Sequence, residues 1–382
     1  MKVTIADPLL LRSVRPQDLR VYLQSKAWVE RGALSEYGAV WLLRRSNQRP
    51  MEALVPNTAD IDDYPARISD LLSVLEVVEE RPQTAILVDI FNVLADVIRV
   101  RAADEGTSDG TIQLDDGVRL VRSARDMVLS AASSAADPKP LYPNRPSEQV
   151  RAFIQHSRMG QSETGSYVIT VLSRIAPPTN LELIPGLSDP FERVVTRTLA
   201  EALQVVQRGA NNALSNGDLK PLTESYRQGV SANLCDAIVE MSGPSRHALE
   251  IIFSWSPAYP IPADSPERVK LQPEHISIIE EAGKRLRETA PQEDFQLVGV
   301  VIGLQRAEGD ILGKITVLGF VENKPRRVYL ELASEAYEKA AGAHLARIPV
   351  SCTGELVKLG RTYVLKDVRT FDVVPQIAED EE

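Results

Sequence analysis

The chain has little of what metal, redox and nucleotide chemistry draws on. Among its 382 residues there are two cysteines and four histidines. His156, His247, His275 and His344 stand singly, with neither an H-x3-H nor a C-x2-C spacing, so no zinc site can be read. Cys235 and Cys352 fall in helix-like and strand-like stretches, which excludes a disulfide framework and predicts buried free thiols. No G-x4-G-K-[ST] loop and no G-x-G-x-x-G opening a βαβ unit occurs, which disfavours ATP hydrolysis and dinucleotide chemistry. No cofactor is expected. No apolar run approaches the roughly 18 residues that span a bilayer. The leading MKVTIADPLLLRSVRPQDLR carries Asp7, Pro8 and Asp18 where a signal peptide needs unbroken apolar sequence. The expectation is a cytoplasmic protein without membrane contact.

What is present is an ordinary globular composition, 43% hydrophobic and 25% charged, long enough for two or three domains. The formal charge of −10 argues against bulk coating of nucleic acid, which needs clustered Lys and Arg. That charge is uneven. Residues 1–50 carry nine basic and four acidic side chains, residues 51–110 four basic and thirteen acidic, and the chain ends in Glu379, Asp380, Glu381 and Glu382.

The pattern predicts an α+β, multidomain chain. A first module over 1–105 has a helix at Arg15–Lys26, strands at Tyr37–Leu43 and Met51–Val55, and an amphipathic helix at Asp62–Glu80. In that helix Tyr64, Ile68, Leu71, Leu72, Leu75 and Val78 recur every three or four residues. Ile86 to Ile98 reads as a second helix beginning after Pro82. Helix, strands and long helix resemble the double-stranded-RNA-binding and HicA-toxin-like folds. The HicA-like ribonucleases use a His beside the second strand, but that neighbourhood reads GAVWLL here, so their chemistry is not expected.

Residues 106–290 read as a mostly helical, mixed domain. Helices are predicted at Val118–Ala135, from Ser147 to about Arg158, at Pro190–Arg208, at about Leu219–Met241 and over most of Ser265–Thr289. Strands are predicted near 166–175 and 248–254, and the connector DPKPLYPNRP cannot be helical. Within this region GQSETG places Gln161, Ser162, Glu163 and Ser166 near His156, a candidate ligand-binding loop. It fails the G-x-S-x-G nucleophile pattern, and its context runs from helix to strand rather than strand to helix. A polar turn or backbone-amide contact to a small anion suits it better than catalysis.

Residues 291–376 read as a five-stranded barrel before an acidic tail at 377–382. Strands at Phe295–Leu304, Lys314–Val321 and Arg327–Ala333, a helix at Ser334–Arg347, and strands at Ile348–Leu356 and Thr362–Val368 follow the order of an OB fold, usually a binding surface. Val328, Leu330 and Leu332 alternate with Arg327, Tyr329 and Glu331, so one face enters a core and the other offers an aromatic between charges. With Lys324 and Arg326 before that strand, and Lys358 and Arg361 in the last hairpin, these residues are candidates for base stacking and phosphate contact. Residues 294–374 hold eleven basic and ten acidic groups, a weak excess for a nucleic-acid binder.

GKITV, RRVYLEL, YEKAAGAH and GRTYVL, with the upstream GQSETGSYVITV and GVSANLCDAI, resemble a group of uncharacterised bacterial proteins of similar length. That resemblance implies the three-part layout and a bacterial cytoplasmic setting, and brings no activity. The reading is a non-catalytic binding or assembly factor whose barrel meets single-stranded nucleic acid, within a bacterial defence or mobile-element system. The alternatives are a scaffold with only a protein partner, or an enzyme with an unconventional polar site at Gln161–Ser166.

Overall fold

The computed structural model describes residues 4–45, 49–103, 111–142, 145–160, 168–176, 189–261, 264–307, 310–321, 323–359 and 362–374. The chain is α+β and divides into two compact units, Met1–Gly283 and Lys284–Glu382.

The first unit begins with α1 (Pro8–Arg12), α2 (Pro16–Ser25), β1 (Val29–Ser35), β2 (Gly38–Leu43), β3 (Met51–Pro56), α3 (Tyr64–Glu79) and α4 (Gln83–Asn92). The three strands form an antiparallel meander. In β2, Ala39, Trp41 and Leu43 turn inward, and the expected stripe of α3 from Tyr64 to Val78 is buried in the same cluster. Burying Trp28, Trp41, Tyr22 and Tyr64 removes large apolar areas from water, on the order of 150–250 Å² each.

A five-stranded sheet follows. Its strands are β4 (Ala95–Ala103), β5 (Arg158–Met159), β6 (Val168–Arg174), β7 (Ala248–Ser254) and β8 (Arg268–Leu271), ordered β5-β6-β4-β7-β8 with every neighbour antiparallel. Between them come α5 (Leu114–Ala136), α6 (Glu148–His156), α7 (Phe191–Asn216), the short α8 (Lys220–Thr223) and α9 (Ala232–Ser242), and α10 (Pro273–Thr289) follows β8. Helices α5, α7 and α9 pack on the sheet. Ile98, Val100, Ile169, Leu249, Ile251, Phe253, Val269 and Leu271 are all buried.

The apolar run predicts a second helix from Ile86 to Ile98, but α4 stops at Asn92 and strand β4 begins at Ala95. The reason is visible in the residues. Ile98 and Val100 alternate with Arg99 and Arg101, a period of two that a central strand satisfies by burying one face under helices. Strands β1 and β8 were also not anticipated, β1 because exposed Val29 and Leu34 blur its alternation and β8 because it has four residues. Helix α7 runs past the expected Arg208 to Asn216, where Gly217 adopts a left-handed cap with φ of 72°.

The second unit is a closed barrel of β9 (Gln292–Gln305), β10 (Leu312–Val321), β11 (Lys324–Ala333), β12 (Val350–Leu359) and β13 (Thr362–Val373), with α11 (Ser334–Ala346) between the third and fourth strands. The order around the barrel is β10-β11-β13-β12-β9, antiparallel throughout except for the parallel pair β11/β13. Leu297, Val301, Ile315, Val317, Val328, Leu330, Leu332, Val350, Cys352 and Leu365 fill its interior. Closure requires β9 to pair first with β12 and then with β10, and Gly299 sits at that handover, opposite both Val350 and Gly319. A Cβ there would run into the Leu318 carbonyl oxygen, so the two strands approach this closely only because the position is glycine.

Candidate functional site

Pairing fixes which barrel side chains share the outer surface. Rows across β10 and β11 set Phe320 opposite Pro325, Leu318 opposite Arg327, Thr316 opposite Tyr329 and Lys314 opposite Glu331. Phe320 is 69% and Tyr329 43% exposed, so two aromatic rings lie open on one face with the Arg327 row between theirs. Val298, Val300 and Ile302 of β9 extend this face as exposed apolar groups. Large exposed apolar side chains collected on one surface mark a place where something binds.

Of the residues singled out in sequence, Arg327 and Tyr329 belong to this face, while exposed Lys324 opens β11 opposite Val321. Arg326 and Lys358 come together elsewhere. Their cationic heads stand 6.0 and 5.8 Å from the ring centroid of Tyr363, whose side chain is buried. Arg361, the loop residues Gln161, Ser162, Glu163 and Ser166, and the tail 377–382 lie outside the described residues. His156, the base considered for that loop, ends α6 and donates through Nδ1 to its own helix at the Ala152 carbonyl, 2.7 Å away. Phe320 is not among the residues predicted from sequence. Its signal was the outward parity of LGKITVLGFV, which places 318 and 320 on the side of Lys314.

A groove of about 1000 Å³ adjoins the face where β11 and β13 diverge after three paired residues. Tyr329 and Lys314 line it, and its charges are largely matched internally by Lys314–Glu331 at 3.7 Å and Lys339–Glu335 at 3.3 Å. A second groove, about 930 Å³ between α5 and α9, is likewise mixed in sign, with Arg119–Asp116 at 2.6 Å and Arg125–Asp126 at 2.9 Å.

Several titratable groups displaced from their ordinary range serve the fold. Asp96 of β4 and Arg193 of α7 are both fully buried and 3.0 Å apart. The Ser256 amide donates to Asp96 at 2.8 Å, and Arg193 donates to the carbonyls of Ser256 and Pro260 at 2.7 and 3.0 Å. Burial pushes Asp96 up to about 6 against the pull of Arg193. With both side chains fully buried, the pair ties β4, α7 and the 255–260 segment together. His275 is a second case. Its Nδ1 accepts from the Gln272 amide, which leaves Nε2 to donate to Asn211 Oδ1 at 2.9 Å, and burial lowers its pKa. Burial also pushes the Cys352 thiol up to about 12, which disfavours the thiolate form. Among the described residues, no group of three or more His, Cys, Asp or Glu could hold a metal ion, and no helix is long and apolar enough to cross a membrane.

No family model, no curated protein and no solved structure matches this chain.

Proposed function

We propose that the barrel is of the OB type and that the chain is a cytoplasmic, non-catalytic binding or assembly factor recognising single-stranded nucleic acid. The strand order around the barrel, with a helix after the third strand and a parallel pairing of third and fifth, supports the type assignment. The observation that carries the function is the pair of exposed rings, Phe320 and Tyr329, flanking the row of Arg327. Every base has a π-face, so rings on a curved sheet can stack successive bases while a guanidinium meets the intervening phosphate. OB folds use the surface of their second and third strands in this way, here β10 and β11.

The test is fluorescence anisotropy of labelled single-stranded DNA and RNA titrated with the full chain. Tyr329→Ala and Phe320→Ala should each weaken binding by about 1–3 kcal/mol while leaving the salt dependence nearly unchanged. Absence of binding by the parent at low salt rejects the proposal.

A protein partner is the second reading, favoured by the exposed Val298, Val300, Ile302 and Leu318 on the same face. An aliphatic surface of this kind fits a partner's apolar side chains better than it fits bases. A partner that survives nuclease treatment and high salt would support it.

A further inference from the structure

The five-stranded sheet has one face under helices; the opposite face is cationic over β4, β7 and β8, while Ala95, Val97, Val168, Thr170 and Leu172 on its β4 and β6 side are buried. Register places Thr170, Arg99, Ile252 and Arg268 in one row across four strands, and Val168, Arg101, Glu250 and Lys270 in the next. These are the positions that alternate with the buried Ile98, Val100, Ile251 and Val269, so their side chains lie on the other face. Arg101, Arg268 and Lys270 side chains are about half exposed, at 47%, 55% and 55%. Glu250, at 15%, is reached by all three, with nitrogen to oxygen distances of 3.9, 3.2 and 3.3 Å. By the same alternation Arg158 of β5 and Arg174 of β6 share this face, and Glu250 is the only carboxylate among its described strand residues.

We infer that this face binds a nucleic-acid phosphate backbone, a second site that does not rest on the barrel reading. One carboxylate cannot neutralise three cations, so the cluster keeps a net positive charge although the chain as a whole is acidic. The cations are fixed on a hydrogen-bonded grid. Strands about 4.8 Å apart and a residue repeat of about 3.3 Å set the backbone positions of these residues roughly 7–10 Å from one another, and the charged ends converge on Glu250. Successive phosphates of one strand can each meet a cation on such a grid. Among the described residues the face offers no exposed aromatic for stacking, so the contact is to backbone and independent of sequence. An anionic membrane is the less fitting polyanion, because among the described residues Ile252 between the cations is only half-buried and no large apolar group projects from this face to anchor in lipid.

The experiment uses the full chain carrying Phe320→Ala and Tyr329→Ala, so that barrel stacking is already removed. Labelled oligothymidine and the corresponding duplex are titrated across a salt series. Adding Arg101→Gln, Arg268→Gln and Lys270→Gln should lower the slope of log affinity against log salt by about 2–3 and weaken low-salt binding about tenfold or more. Glu250→Gln alone should tighten binding several-fold, a gain that damaged folding would not produce. Tryptophan fluorescence and the urea midpoint check that the variants remain folded. An unchanged slope in the triple variant overturns the inference, as does Glu250→Gln without gain. Binding to phosphatidylserine vesicles but to neither oligonucleotide would overturn it in favour of a membrane surface. If Phe320→Ala and Tyr329→Ala bind like the parent while the Arg101, Arg268 and Lys270 changes abolish the slope, the barrel reading fails and this one stands.

Discussion

The outer face of β9–β11 and the open face of the five-stranded sheet are both solvated sheet surfaces, but they are built for different physics. The first is apolar and aromatic, with Arg327 set among Phe320, Leu318 and Tyr329. The second is a cationic grid around Glu250 with no exposed ring among its described residues. Contacts of the first kind depend on desolvation and stacking and change little with salt, whereas those of the second come from counterion release and fade as salt rises. The strands beneath them also differ in how they are held. The open sheet is clamped by a buried ion pair, and the barrel by a close approach of two glycines.

The largest expected effect breaks the clamp. Asp96→Ala leaves Arg193 buried without a counter-charge, and should cost about 3–5 kcal/mol of stability. Trp28, Trp41 and Trp255 all belong to the first unit, so urea unfolding followed by tryptophan fluorescence reads this unit selectively. A loss below about 1 kcal/mol would show that solvent or rearrangement rescues the guanidinium. The same residue carries a pH signature. Its carboxyl takes a proton below about pH 6 when folded and below the ordinary 3.8 when unfolded, so between those values the folded state binds more protons. Its contribution is then fully present at the low end and falls as pH rises through the window. The stability of the parent relative to Asp96→Asn should decline from about pH 4 to about pH 6, and a difference that grows instead would mean that Arg193 dominates.

The barrel is broken differently. Gly299→Val should push β9 off β10 through the Leu318 carbonyl, costing about 1–3 kcal/mol or more. Circular dichroism should record the loss, while the tryptophan transition of the first unit stays in place. A barrel variant as stable as the parent would show that β9 can shift without opening the ring.

These two regions were not equally legible in sequence. The barrel's order could be read because its strands are consecutive and Val328, Leu330 and Leu332 alternate cleanly with polar residues. Phe320 escaped because in β10 both sides of the strand are apolar, Val317 and Val321 inward and Leu318 and Phe320 outward, so period alone does not say which side is wet. The cationic face could not be read as a cluster. No strand supplies more than two of its cations, and β4 meets its partner β7 about 150 positions later in the chain, a pairing that local periodicity does not encode. The turn from α4 into β4 was legible in principle from Ile98 and Val100 against Arg99 and Arg101, but an apolar helical run ahead of it masked the change of period.

Stacking is the next effect in size. Phe320→Ala should cost about 1–3 kcal/mol of single-strand affinity with little change in salt slope, the inverse of what the Arg101, Arg268 and Lys270 changes should do. Equal loss of slope in both sets, measured by anisotropy across the same salt series, would erase the distinction between the faces.

The smallest expected effect concerns Arg326 and Lys358, which were singled out as phosphate contacts but stand over the ring of Tyr363. Tyr363 is buried but Arg326 and Lys358 keep contact with solvent, and a solvated cation over a ring contributes about 0.5–1 kcal/mol, so either residue changed to alanine should lower barrel stability by no more than that. If that is all they do, the salt slope of oligonucleotide binding is unchanged in both variants. If they also meet phosphate, each loss should flatten the slope by about 1, because guanidinium and ammonium edges stay available to an anion while their faces or stems rest on the ring. Thermal unfolding by circular dichroism gives the first quantity and anisotropy the second. A flattened slope without any stability change would assign both cations to binding, and would extend the barrel surface from the Phe320 and Tyr329 rows to the end of the barrel marked by Tyr363.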